Sequence, residues 1–164
     1  LTKILLLSDT HSYMDSRILS YAKEADEVWH CGDFGSMQVV EAIEELKPLR
    51  GIYGNIDGTQ IRAVFPEVSR FTCEGVEVLM IHIGGYPDKY SPLAKEEITK
   101  KPPRLFISGH SHILKAMYDK KFGLLHLNPG AAGKSGWHKV RTMMRFTIDG
   151  TEIKDLEVIE LGTK

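Results

Sequence analysis

Two short groups of carboxylate and imidazole side chains carry the chemistry that this chain could do. Near its start, Lys3 to His11 reads K-I-L-L-L-S-D-T-H. Asp9 and His11 are two apart, so an extended backbone continuing past the apolar run Ile4 to Leu7 would send both side chains off one face. A carboxylate beside an imidazole at the mouth of a buried strand is half of a metal site. The other half comes much later, in Gly109-His110-Ser111-His112, after the apolar run Leu105 to Ile107. Between them lie Gly32-Asp33, Gly54-Asn55 and His82, each following an apolar or mostly apolar segment. Glycine beside such residues fits a sharp strand-to-loop turn, because it accepts backbone angles that other residues avoid.

Each of these features has an ordinary explanation when taken alone. Asp9 could cap a helix, Asn55 or Asp57 could form a turn, and His82 could be a hydrogen-bonded core histidine. Five of them in order, each at the end of a strand-like run, favour a site. The ordered set D-x-H, G-D, G-N, H, G-H-x-H resembles the calcineurin-type metallophosphoesterase superfamily. The short chain and compact spacing are similar to its small YfcE-like branch, over Leu5 to about Gly130.

That resemblance implies a residue-by-residue division of labour. Asp9, His11 and His112 would hold a first divalent metal, Asn55, His82 and His110 a second, and Asp33 would bridge them. Asp33, Asn55 and His110 would position a hydroxide bridging the metals and the phosphate, with Asp57 in support. Two dications against two carboxylates leave a net positive site, which a hydroxide and one phosphoester anion would neutralise. Mixed nitrogen and oxygen donors select no single metal; manganese leads, with iron, zinc, cobalt or nickel also compatible.

One departure matters. The fuller family pattern continues G-N with a histidine, usually credited with protonating the leaving group, whereas here Ile56 precedes Asp57. Isoleucine donates no proton, and proton donation is worth typically 10²–10⁴-fold. The expected activity is therefore hydrolysis of a small phosphoester, a diester ahead of a monoester. The alternatives are a phosphomonoesterase, a single-metal hydrolase, or a non-catalytic protein-interaction scaffold like the small subunit of retromer. Of the other histidines, His30 is expected to pack in the sheet or support Asp33, and His126, before Asn128-Pro129-Gly130, to be structural. His138 lies in the basic segment Lys134 to Arg141, either simply solvated or at the pocket rim, where it could supply the missing proton.

The elements that must position these residues follow from periodicity. Strands are expected at Ile4–Leu7, Glu27–Cys31 and Leu49–Tyr53. They are separated by helices over Asp15–Ala25, capped by Asp15 or Ser16, and from Ser36 to Pro48, with Val39, Val40, Ile43 and Leu46 on one face. Such repeats imply parallel strands with functional loops at their carboxyl ends. A hairpin over Val68–Cys73 and Val76–His82 follows, then a helix over Ser91–Lys101 stopped by Pro102-Pro103. After Leu105–Ile107 come strands over Leu114–Tyr118, Leu124–Leu127, Arg141–Ile148 and Glu152–Ile159. The fold class is α/β. The resemblance implies a four-layer α-β-β-α sandwich of two packed mixed sheets, with the site at strand carboxyl ends.

With 164 residues, one domain over 1–164 is expected. A net charge of −1 gives no electrostatic reason to expect nucleic acid or membrane as partners. No apolar stretch reaches the ~18 residues of a membrane span, and no signal-peptide pattern precedes the first strand. Cys31 and Cys73, without a C-x-x-C pair, suit reduced, buried thiols in a cytoplasmic protein. The oligomeric state is not legible.

Overall fold

The computed structural model describes residues 1–164. In chain order the elements are β1 (Thr2–Leu7), α1 (Ser16–Glu24), β2 (Glu27–His30), α2 (Met37–Glu44), β3 (Leu49–Gly51), α3 (Thr59–Val64), β4 (Val68–Cys73) and β5 (Val76–Ile81). There follow the two-residue strands β6 (Gly85–Tyr86) and β7 (Lys89–Tyr90), then α4 (Pro92–Lys100), β8 (Leu105–Ile107), β9 (Lys115–Asp119), β10 (Leu124–Asn128), β11 (Val140–Asp149) and β12 (Glu152–Thr163).

The strands form two five-stranded mixed sheets, ordered β12-β11-β1-β2-β3 and β4-β5-β8-β10-β9. In the first, β1, β2 and β3 run parallel and β11 joins β1 antiparallel. In the second, β5, β8 and β10 run parallel between antiparallel edges.

The apolar run of β1 makes sense at this central position. Ile4 and Leu6 enter the core between the sheets, with Trp29, Val78, Met80, Ile107 and Phe146. Leu5 and Leu7 point the other way, against Ile18 and Ala22 of α1 and Val39 and Ile43 of α2. The outer face of the second sheet is covered by α4, through Ala94 and Ile98. The result is the four-layer sandwich, helices outside and sheets inside.

Caps set the helix starts. Asp15 is the N-cap of α1, its Oδ1 accepting from Ile18 N at 2.9 Å. Ser91 caps α4 through Ala94 N, with Pro92 in the first turn, where a missing N–H costs nothing. Three expectations need correction. The second helix stops at Glu44, before Pro48, where Leu46 N tightens onto the Ile43 carbonyl three residues back in place of a regular four-residue bond. The third strand ends at Gly51, where Tyr53 N leaves the ladder for the Pro66 carbonyl. The last strand runs to Thr163, since β11 starts at Val140 and pairs with it there.

Trp29 is the largest side chain between the sheets. It is fully buried, edge-on to Phe71 and Phe146 at 5.0 and 5.7 Å, with Nε1 donating to Glu27 Oε1 at 3.1 Å. Trp137 is fully exposed. Chemical denaturation of Trp29→Ala should show a loss of about 3–5 kcal/mol, and of Trp137→Ala less than about 0.5 kcal/mol. Equal effects of the two substitutions would contradict this packing.

Candidate metal centre

Loops at the carboxyl ends of β1, β2, β3, β5 and β8 bring all seven sequence-identified donors to one edge of the sandwich. The backbone there is not extended. Asp9 (φ 54°), His11 (45°), Asp33 (59°), His110 (66°) and His112 (62°) are all left-handed. The extended continuation expected through Asp9 and His11 therefore does not occur. The chain instead turns so that Asp9 N and His11 N donate to the Gly32 and Asp33 carbonyls, both at 3.0 Å. Left-handed backbone costs an L-residue about 1–2 kcal/mol. Five such residues at one edge are the pattern of strain retained for function. Glycine is required where these loops touch. A Cβ on Gly54 would collide with Asp33, and one on Gly109 with Ser8 and Asp9.

The side chains fall into two groups. The donor atoms of Asp9, His11 and His112 lie within 4.8 Å of one another, and so do those of Asp33, His82 and His110. Asp33 Oδ2 faces both, 3.4 Å from His11 Nε2 and 3.2 Å from His82 Nε2. Asp9 Oδ1 is 3.2 Å from His112 Nε2. Asn55 Oδ1 joins the second group, 3.0 Å from His110 Nδ1.

In each carboxylate one oxygen is held by the protein and the other is left over. Ser8 Oγ and His110 N donate to Asp9 Oδ2, and Ile56 N donates to Asp33 Oδ1. Asp9 Oδ1, His11 Nε2 and His82 Nε2 are buried without a hydrogen-bond partner. Orphaned atoms of this kind, converging with mixed nitrogen and oxygen chemistry, fit divalent cations.

The electrostatics agree. Burial alone would raise the carboxyl of Asp9, but the imidazoles of His11, His112 and His82 bring it down to about 2. Asp33 is held well below the usual carboxylate range: burial opposes this, while His11 and His82 drive it. In return the pull of Asp33 and Asp9 raises His11 to about 9. His82 is raised despite its burial. Protons thus neutralise the carboxylates in the metal-free protein, and a cation must displace them. Metal uptake therefore releases protons and strengthens as the pH rises.

The calcineurin-like phosphoesterase superfamily domain matches residues 2–151. The chain belongs to this superfamily. A curated relative described as a "Probable metallophosphoesterase", from Methanothermobacter thermautotrophicus, is 25% identical, with 96% of this chain and 91% of that protein aligned. Among solved structures, a novel archaeal phosphodiesterase superposes with a TM-score of 0.79 at 20% identity, covering 97% of this chain and 99% of that one. Vps29 of Entamoeba histolytica complexed with Zn²⁺ gives 0.74 at 16%, covering 98% of each. At these identities the two structures establish the fold.

Several residues that support the superfamily's loops gave little sequence signal. Asp57, expected only as a supporting residue, is buried and accepts from Asp33 N (2.9 Å), Phe34 N (3.2 Å), Gly35 N (2.9 Å) and Gly54 N (2.8 Å). Arg62, on α3, donates from Nε to the Asp57 carbonyl at 2.7 Å and from Nη2 to the Asn55 carbonyl at 3.3 Å. Periodicity did not reveal α3, because six residues are too short for a helical pattern. Asn128 ties down the last loop by donating to Gly109 O at 3.1 Å.

His30 packs in the sheet as expected, but its hydrogen bonds go to Gly32 and Thr10 and not to Asp33. It stacks on Phe34 at 3.7 Å, and its Nδ1 accepts from Gly32 N at 3.1 Å. Burial lowers it to about 3, so the ring is neutral, and Nε2–H points to Thr10 Oγ1 at 3.0 Å.

His138 neither rims the pocket nor lies free in solvent. Its Nε2 donates to the Gly133 carbonyl at 2.8 Å, and Nδ1 faces His112 Nδ1 at 3.3 Å. In neutral His138 that Nδ1 can only accept. His112 therefore carries a proton on Nδ1, which leaves Nε2, beside Asp9, free to give up its proton and serve as a ligand nitrogen when a cation binds. With both nitrogens engaged, His138 has no proton to offer a leaving group.

Asp57→Ala would leave four backbone N–H groups without their acceptor, each worth roughly 1–3 kcal/mol if buried. The variant should unfold at clearly lower denaturant concentration and bind manganese about 10–100-fold more weakly. Unchanged manganese affinity by calorimetry would refute the clamp.

Proposed function

We propose that this superfamily member is a dinuclear metal-dependent phosphodiesterase. The observation that carries the reading is the position of Asp33 Oδ2, close to an orphaned imidazole nitrogen of each donor group. A carboxylate in that position suits one oxygen shared by two ions. Asp9, His11 and His112 would hold one ion, and Asn55, His82 and His110 the other. Divalent ions in such a pair supply a nucleophile at neutral pH and charge stabilisation at the phosphoryl oxygens.

The chain's own residues have distinct tasks. Ile56 N and Ser8 Oγ each hold one oxygen of a carboxylate so that the other points inward. His138 fixes the tautomer of His112, and Cys31 O, 2.6 Å from His82 Nδ1, does the same for His82. His110 and Asn55, the two exposed donors, are the ones best placed to meet substrate. The preference for diesters rests on Ile56, which offers no acid, and is consistent with the archaeal phosphodiesterase of the same fold.

A protein-interaction scaffold is the second reading. The likeness to Vps29 and the exposed side chains of Ile113, Leu114, Met117 and Tyr118, in and just before the edge strand β9, favour it. The complete donor set ranks the enzyme first.

Metal content and hydrolysis of bis(4-nitrophenyl) phosphate, measured together, test the proposal. The manganese-loaded protein should bind two ions and turn over. Asp33→Asn should hold one ion or fewer and lose hydrolysis. Two tightly bound ions with normal turnover in that variant would overturn the dinuclear model. Wild-type protein that binds no metal and cleaves no ester would leave the scaffold.

Residue 56 gives a second test. Its side chain is exposed, and Asp57 beside it has both oxygens taken by backbone N–H groups, so Asp57 cannot orient a group introduced there. Wild-type rates on aryl diesters of graded leaving-group pKa should fall steeply as that pKa rises. Ile56→His should flatten the slope, with the gain largest for the poorest leaving groups. A wild-type slope near zero would mean that another acid is present.

A further inference from the structure

His110 of the candidate centre also lines a cavity of about 260 Å³. One wall comes from the β6–β7 hairpin, which sequence reading missed. Its signal was the Pro87-Asp88 turn between two tyrosine-containing dipeptides. Tyr86 on this hairpin, with Ile83 and Ile113, gives the cavity apolar, partly exposed walls. His126 borders the cavity too, but its ring is completely buried against Phe106, with Nδ1 3.2 Å from the Phe106 carbonyl oxygen, and it meets no ligand there.

The charge around this space is all of one sign. Lys89, on β7, is exposed, and Lys115, at the start of β9, is half-buried with Nζ 3.9 Å from the centroid of the Tyr86 ring. Both line the cavity, and no acidic residue does. Neither ammonium pairs with a carboxylate of the protein. Ser111, exposed between two of the metal donors, adds a third donor group. Its Oγ accepts from Asn128 Nδ2 and from Ile113 N, both at 3.1 Å and both from residues that line the same cavity. Its own hydroxyl proton has no acceptor in the protein.

We propose that this cavity is the subsite for the organic arm of the phosphoester, and that the arm carries a second anionic group, a carboxylate or a further phosphate, met by Lys115, Lys89 and the Ser111 hydroxyl. The inference rests on the phosphoesterase reading above for the identity of the ester. A cavity just under the ~300–1,000 Å³ of sites for drug-sized molecules suits a short arm and no polymer. Its polar side chains within reach of a ligand are donors, so the group they recognise is an acceptor. Two unpaired ammonium groups make that acceptor an anion, because charges of one sign on low-dielectric walls focus their field on the space between them. A neutral alkyl arm would leave both cations unanswered. The Tyr86 and isoleucine surfaces suit the short carbon linker between the two anionic groups.

Three diesters that share a 4-nitrophenyl leaving group and differ in the other arm separate this subsite from the chemistry: propyl, 2-carboxyethyl and 2-(phosphonooxy)ethyl. The manganese-loaded wild type should have a higher kcat/KM for an anionic arm than for propyl, and the better of the two anionic arms identifies the group recognised. Lys115→Met keeps the aliphatic stem and removes the ammonium. It should cut that preference about tenfold, the size of one charge-assisted hydrogen bond, while Lys115→Arg should retain it. Equal kcat/KM on all three diesters, or an undiminished preference in Lys115→Met, would overturn the proposal. A second measurement needs no turnover. When metal-free, ¹⁵N-labelled protein is titrated with acetate and with inorganic phosphate, one of the two anions should move the amide resonances of Tyr86 and Lys89 in wild type and move them less in Lys115→Met. Resonances that neither anion moves, or that move equally in the variant, would overturn the proposal even if the esters are cleaved. If no ester is cleaved yet the resonances move as expected, the phosphoesterase reading fails and the anion site stands.

Discussion

The buried carboxylate of Asp57 accepts hydrogen bonds from the backbone of Asp33, Phe34, Gly35 and Gly54, and so ties the loop after β2 to the loop after β3. The loop after β1 is joined to the same assembly through Asp9 N, His11 N and Ser12 N, which donate to the carbonyls of Gly32, Asp33 and Phe34. Three chain segments, each leaving a parallel strand, become one rigid rim. Without this clamp, five left-handed residues would relax toward ordinary backbone angles and the donor atoms would separate.

The rim holds two carboxylates and several imidazoles in little space, and each group has only part of its bonding capacity met. One oxygen of Asp9 and one of Asp33 are bonded by the protein, while the others face imidazole nitrogens without hydrogen-bond alignment. Like charges at such spacing are tolerable only with positive charge between them, supplied by protons or by cations. A polar cluster left half-satisfied by its own protein is costly, and a bound ion is the simplest group that completes it.

The support extends outward in layers. His30 reaches both Thr10 and Gly32, so one neutral ring braces two of the loops. His138 braces His112, and Gly136 lies so close to the His112 ring that any side chain there would displace it. Arg62 holds the carbonyls of Asn55 and Asp57 while stacking over Tyr53 at 4.4 Å. These residues determine which lone pair each donor presents, and that governs both metal affinity and the charge felt by a phosphoester. No helix is long and apolar enough to cross a membrane.

The sequence by itself determined the kind of protein. Runs of apolar residues ending in Asp, Asn or His marked the strand ends, because a strand buried on both faces must be apolar throughout and can carry polar chemistry only where it stops. The helix cap at Asp15 and the helix start at Ser91 were equally legible, since both depend on near neighbours in the chain. What only the tertiary structure decided depends on contacts between distant residues. Asp57 looked like a turn or supporting residue, and three of its four bonds reach into another loop. His138 looked like part of a solvated basic segment, and folding sets it behind His112. Asp9 and His11 looked extended, and hydrogen bonds to the Gly32-Asp33 loop force them left-handed. His126 looked structural, and only the packed sheet reveals that one of its nitrogens is buried without a partner. Periodicity and spacing report which residues share a face. They carry no record of which lone pair is left over once the loops close on one another.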